Sequence, residues 1–249
     1  MTTRPAPTPQ LAVAGTDAVA SRWQRVLALS GIAFAVPFLI GWFASAGVTP
    51  HYTASDQDWT NWAHDGKWNG RISGFAMLVA AFFFLHYLGA VRSVLGKAES
   101  AVSGSAQLAR VVFAGALIGI AGLSMALVVM EAASSEGGNA NPVVSRAVTA
   151  GAAGPYLIAA MGFAAFLMAG GVLTLRTGVF ARWMGIVALV GAVSFLITFV
   201  TVLDGTTDGS PFGYGFFPGV VALVTWTVAT SVATYRAAAA IDQVTVIAT

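Results

Sequence analysis

DWTNWAHDGKWNGRISGFAMLVAAFFFLHYLGAVR, residues Asp58–Arg92, is the stretch on which the fold turns. From Ile72 to Val91 it carries no Asp, Glu, Lys or Arg. A helix of about 20 such residues, rising ~1.5 Å per residue, matches the roughly 30 Å hydrocarbon core of a bilayer. Ahead of that span the chain is polar and rich in tryptophan. Ser55 with Asp58 three residues on makes a capping-box start with Asp in place of Glu, and Trp59, Trp62 and Ala63 then share a helical face. A short helix lying in the first outer loop, in the membrane interface, is expected. Indole rings favour the headgroup level, so Trp59, Trp62 and Trp68 are read as an aromatic belt or, alternatively, as a platform on which a solute stacks.

The rest of the chain agrees with a lipid solvent. Hydrophobic residues make up 57% and charged residues 9% of the 249, against about a quarter charged in soluble domains, too few to cover a water-facing globule. Apolar runs at about 26–44, 111–130, 155–175, 183–203 and 217–235 bring the expected spans to six. The expected fold is therefore all-α, one polytopic bundle of six transmembrane helices over residues 22–236. Residues 1–21, rich in Pro, Thr and Ala, are expected to form a disordered tail, and 237–249 a short second tail. Pro37 should kink the first helix. Ala44-Ser45-Ala46 resembles a signal-peptidase site, but the run before it exceeds the roughly 7–15 residues of a signal h-region, which favours a retained span.

Arginine and lysine set the orientation. With both termini inside, Arg4, Arg22, Arg25, Arg92, Lys97, Arg110, Arg176, Arg182 and Arg236 are cytoplasmic, and only Lys67, Arg71 and Arg146 lie outside. The hairpin ends LGAVRSVLG and VLTLRTG, each followed by a new apolar run, suggest a parallel internal repeat, although any cytoplasmic hairpin tends to carry an arginine.

His86 is the only histidine inside a span, roughly 9 Å from Arg92 along the helix axis. Ionisable groups at such depth are candidates for proton relay or ligand contact, with interhelical packing as the plainer alternative. Paired haem ligation fails because His51 and His64 lie on the other side. At the outer face Arg71, Glu131, Arg146 and Asp204 stand at helix ends. With Asp65 and His64 they would rim a polar vestibule covered by Trp59 and Trp62, with His86 toward its floor. Glu131 and Asp204 oppose the helix dipole at their C-termini and so call for a nearby cation. Without one they are simply solvated ends. Gly115, Gly119, Gly122 and Ala126 repeat at i, i+4, i+7 and i+11 and form a ridge for close helix packing. Thr227, Ser231 and Tyr235 share one face of the last helix and Thr230 and Thr234 another, with hydroxyls expected to point inward.

No catalytic residue, metal or cofactor is expected. The chain has no cysteine, which excludes thiolate metal sites and c-type haem, and it lacks a P-loop, an H-E-x-x-H and a G-x-S-x-G. His64-Asp65 alone is too little for a metal site. No basic patch points to nucleic acid. The segments WNGRISGFAML, FFFLHYLGAVRSVL and RTGVFARWMGIVALVGA resemble those of a broad group of six-helix bacterial integral membrane proteins classed as domains of unknown function, of the type found in high-GC bacteria. The resemblance covers about residues 26–236 and implies a fold without implying a catalytic residue. The expected function is binding in the inner (plasma) membrane, as a carrier or receptor for a small amphipathic solute through the outer vestibule. The alternative is a structural, assembly or partner-binding subunit that docks a membrane partner, or a second copy of itself, through the glycine ridge of the third helix.

Overall fold

The computed structural model describes residues 10–45, 50, 53–133, 141–203 and 216–247, and side chains over 23–44, 50, 53–132, 141–198 and 216–239. Every element among these residues is an α-helix: α1 Gln10–Ser45, α2 Asp56–Ser103, α3 Gln107–Ala133, α4 Pro142–Gly151, α5 Ala153–Thr177, α6 Arg182–Leu203 and α7 Phe216–Ile247. Five regions are long and apolar enough to cross a bilayer: Trp23–Ala44, Asp56–Ser103, Gln107–Ala132, Pro142–Thr177 and Phe216–Ala239. α6 is apolar over Arg182–Thr198. The chain is a multi-pass α-helical membrane protein.

The elements differ from the expected ones at their ends. Helical backbone begins at Gln10, inside the stretch read as a tail, and runs through Pro37. α7 passes Tyr235 by three turns, to Ile247. The larger difference is at α2. Ser55 caps it as expected: Asp58 N–H donates to Ser55 Oγ at 3.2 Å, and Ser55 N–H donates to Asp58 Oδ2 at 3.1 Å. From this nucleus the helix continues for 48 residues, so there is no separate interfacial helix. Gly66, Gly70, Gly74, Gly89 and Gly96 lie along it, and at about 1 kcal/mol each they do not stop a helix that is capped and packed. α4 and α5 meet at Ala152 because Pro155 has no N–H and its ring crowds the carbonyl of Gly151, the last residue of α4.

α1 packs on α2, α2 on α3, α3 on α5, α5 on α6 and α6 on α7, and α7 returns to α1, which closes a ring of six long helices. α4 lies over α3, α2 and α5. Large aliphatic and aromatic side chains such as Phe75, Leu78, Phe82, Val190 and Ile197 are exposed around the outside, as expected where the solvent is lipid. The inside is filled by aromatic rings. Phe34 lies 4.8 Å from Phe84, Phe84 5.8 Å from Phe166, and Phe166 5.0 Å from Trp226. Phe163, Phe195 and Phe216 continue the column at 5.7 and 5.3 Å. These seven rings come from five helices, are all buried, and meet edge-on or tilted as ring quadrupoles prefer.

Small residues set the closest crossing, between α3 and α5. A Cβ on Gly115 would lie 2.7 Å from the Phe166 backbone nitrogen, and one on Gly122 2.7 Å from that of Ala159. Gly162 meets the backbone of Gly119 directly, and Ala126 is buried further along α3. With no hydrophobic drive between helices in lipid, such approach supplies the van der Waals contact that holds them. The ridge faces α5 of the same chain, so it is not a free docking face for a partner.

Candidate functional site

At the end of the bundle expected to face outward, α4 clamps the beginning of α2. Asn141 caps α4 by accepting from Val143 N–H at 3.0 Å, and Pro142 starts it with the fixed φ that a first turn needs. One turn on, Arg146 Nη2 donates to the Ala54 carbonyl and to Asp56 Oδ1, both at 3.0 Å. Its guanidinium stands 5.8 Å from the centroid of Trp59. Trp59 is fully buried and meets half-buried Trp62 edge-on at 5.7 Å. Trp59 therefore serves protein packing and does not sit in a lipid-facing belt.

The expected rim comes together only in part. Arg146, Trp59 and Trp62 form one cluster. Arg71 is exposed and stacks over Trp68 at 5.4 Å, on the side of α2 turned away from Trp59. The carboxylate of Glu131 lies against Gly74 of α2, where a Cβ would come within 2.6 Å of Oε2. Asp204 lies outside the described residues. His64 and Asp65 face each other at 3.2 Å on the exposed surface.

His86 departs from its expected place. It is exposed on the lipid side, one helical turn beyond Phe82, whose carbonyl accepts from Nδ1 at 2.8 Å. That bond fixes the proton on Nδ1, because a carbonyl can only accept. The ring also lies 4.5 Å from that of Phe82. His86 thus faces outward and is not the floor of an inner cavity, which the aromatic column fills instead.

The buried polar groups of the interior lie elsewhere. Tyr87 and Thr230 share a hydrogen bond of 2.7 Å between α2 and α7, beside buried Thr227, Ser231 and Thr234. Thr230 and Ser231 also donate back to the carbonyls of Trp226 and Thr227, both at 2.7 Å. Gly31 of α1 allows this seam to close, since a Cβ there would strike Ser231 Oγ and the Tyr87 ring. Tyr235, expected on the same face, is exposed.

At the arginine-rich end Glu99 is buried. Its Oε1 accepts from Leu108 N–H at 3.0 Å and Oε2 from Ala109 N–H at 2.9 Å. These are N–H groups of the first turn of α3 that have no partner within the helix, and a carboxylate there also meets the positive end of the helix dipole. The turn before it closes on Gly104, at φ 70°, whose N–H donates to the Ser100 carbonyl at 3.0 Å. The α5–α6 hairpin ends the same way, with Gly178 at φ 65° donating to Thr174. Neither Glu99 nor Tyr87 was singled out from sequence. Glu99 carried one signal, as the only acid among the cations between Arg92 and Arg110.

A family model matches residues 29–231, more than half of the chain. The chain belongs to DUF4386, a domain of unknown function. The DUF4386 region takes in the aromatic column, the clamp on α2, the hydroxyl seam as far as Ser231 and the Glu99 cap. No curated protein and no solved structure matches the chain.

Proposed function

We propose that this DUF4386 protein works by binding at the outer end of α2, as a receptor for an amphipathic molecule or a partner-binding subunit, and not by carrying solute through its centre. The reading places both termini in the cytoplasm and the bundle in the inner (plasma) membrane, on the nine-to-three division of cations. One observation carries it. Between Asp56 and Arg71 the helix runs ahead of its apolar span for roughly 24 Å, and α4 holds its base through Arg146 while Trp68 and Arg71 stay exposed on the opposite side. A cation stacked on an indole offers an apolar face and a positive edge together, which suits a ligand with an anionic group on an apolar body. The aromatic column argues against passage, since a solute would have to displace buried rings packed at interior density. Of the expected vestibule, Arg71 and Arg146 stand, in this reading, at two separate faces of α2.

The test is photo-crosslinking in whole cells from a reactive residue at Trp68, with one at exposed Val193 as the lipid-facing comparison. A discrete adduct from Trp68 that weakens in Arg71→Ala supports the reading. Saturable uptake by purified protein in vesicles, with no Trp68 adduct, would replace it with carriage.

A further inference from the structure

We infer that the arginine-rich end of α2 holds a binding groove for the phosphate of an anionic glycerophospholipid. The site lies at the opposite end of α2 from the proposed binding face and does not depend on it. A groove of about 570 Å³ runs along this part of the helix, next to the start of α3. Its floor is Gly89, Ser93, Gly96 and Ser100, which follow one another at i, i+4, i+7 and i+11. At ~100° per residue, Arg92 and Lys97 flank this row on either side. Two cations and two hydroxyls thus converge on a trough whose small floor residues leave it open. Arg92 is held by its stack on Phe113, 4.9 Å from the ring centroid.

Charge selects the occupant. The acid nearest in sequence, Glu99, is buried and bonded to Leu108 and Ala109 N–H, so its carboxylate turns into the hairpin and away from the groove. The lining itself contains no acidic residue, and both of its charges are positive. Depth selects between kinds of phosphate. Gly89 lies within the uncharged span and Arg92 just past it, so the groove opens at the level of the headgroups, where basic pockets take anionic lipids. The same face continues into the membrane as His86, Phe82 and Leu78, all exposed. A lipid with its phosphate between Arg92 and Lys97 lays its chains along Phe82 and Leu78.

The full chain in detergent is titrated with phosphatidylglycerol, phosphatidylcholine and inorganic phosphate, and bound ligand is counted by native mass spectrometry. Phosphatidylglycerol is expected to bind saturably and in preference to phosphatidylcholine. Arg92→Gln/Lys97→Gln should weaken it roughly thirtyfold, from the attraction of two cations to an anionic headgroup. Gly96→Leu should also abolish binding, because a Cβ there meets only Ala106 and Ala109 at an ordinary 3.9 Å and the rest of the side chain enters the trough. Arg176→Gln/Arg236→Gln removes the same charge from exposed positions outside the groove and should leave binding intact. Equal binding of both lipids by the unaltered protein overturns the proposal without recourse to any variant. So does an equal loss in the Arg176/Arg236 control. Displacement of the lipid by inorganic phosphate at comparable concentration also overturns it, and assigns the groove to a soluble phosphate.

Discussion

Replacing Gly162 by alanine should loosen the bundle more than any other change of one methyl group. The added Cβ would lie 2.6 Å from the Gly119 Cα and 2.7 Å from the Gly115 carbonyl oxygen. The Gly119 backbone nitrogen is nearer still and ordinary contact begins at 3.4 Å, so α3 and α5 must part by about 1 Å or more. Backbone atoms cannot swing aside as a flexible side chain can. The separation is also felt at Gly115 and Gly122, which approach α5 equally closely. Overpacking of this kind costs about 1–3 kcal/mol, and the higher end is expected because the whole crossing moves. Gly66→Ala provides the opposite sign. It lies within α2 with nothing inside 4 Å of its Cβ position, so alanine should stabilise by about 0.4–1 kcal/mol through helix propensity and a less flexible unfolded chain. Both are read by denaturant titration of the purified protein in detergent micelles. If Gly162→Ala unfolds within about 0.3 kcal/mol of the unaltered chain, below the overpacking range, the α3–α5 crossing is not what holds these helices.

Four further outcomes are expected. Glu99→Ala should cost about 1–3 kcal/mol, since it strands two N–H groups at the buried start of α3; the same titration measures it. Tyr87→Phe should cost only about 0.6 kcal/mol, the mean for hydrogen bonds between membrane helices, because Thr230 keeps its bond to the Trp226 carbonyl. Arg146→Ala should speed amide exchange over residues 55–60 while leaving the apolar part of α2 protected, because both of its bonds end at the base of that helix. In cells, His64→Cys should react with an impermeant maleimide and Val102→Cys should not, both side chains being exposed at opposite ends of α2; the reverse pattern would invert the assigned orientation.

The spans were legible because lipid admits only helices whose length and apolarity the residues state outright, as Ile72–Val91 does. The capping box at Ser55 was legible for the same reason, being wholly local. The course of α2 beyond its span was not. Whether Trp59 lies in a membrane interface or under Arg146 depends on α4, which comes some 90 residues later in the chain. Charge misled in a similar way. His86 and Arg71 look inward when every intramembrane or juxtamembrane charge is assumed to face a cavity, yet one bonds its own helix and the other stacks on Trp68. Glu99 escaped notice because a buried carboxylate and a solvated one are spelled alike, and only the fold of the hairpin supplies its two donors.

The unbroken length of α2 has a mechanical consequence. At 1.5 Å per residue its 48 residues form a shaft of roughly 72 Å, more than twice the thickness of the hydrocarbon layer it pierces. Both ends of that shaft are tied to the bundle, by Arg146 of α4 at Ala54 and Asp56 and by Glu99 at the first turn of α3. A rod pinned at both ends and packed along its middle resists tilting. α2 is therefore a strut that fixes the distance between the Trp68 face on one side of the membrane and the Arg92 and Lys97 face on the other.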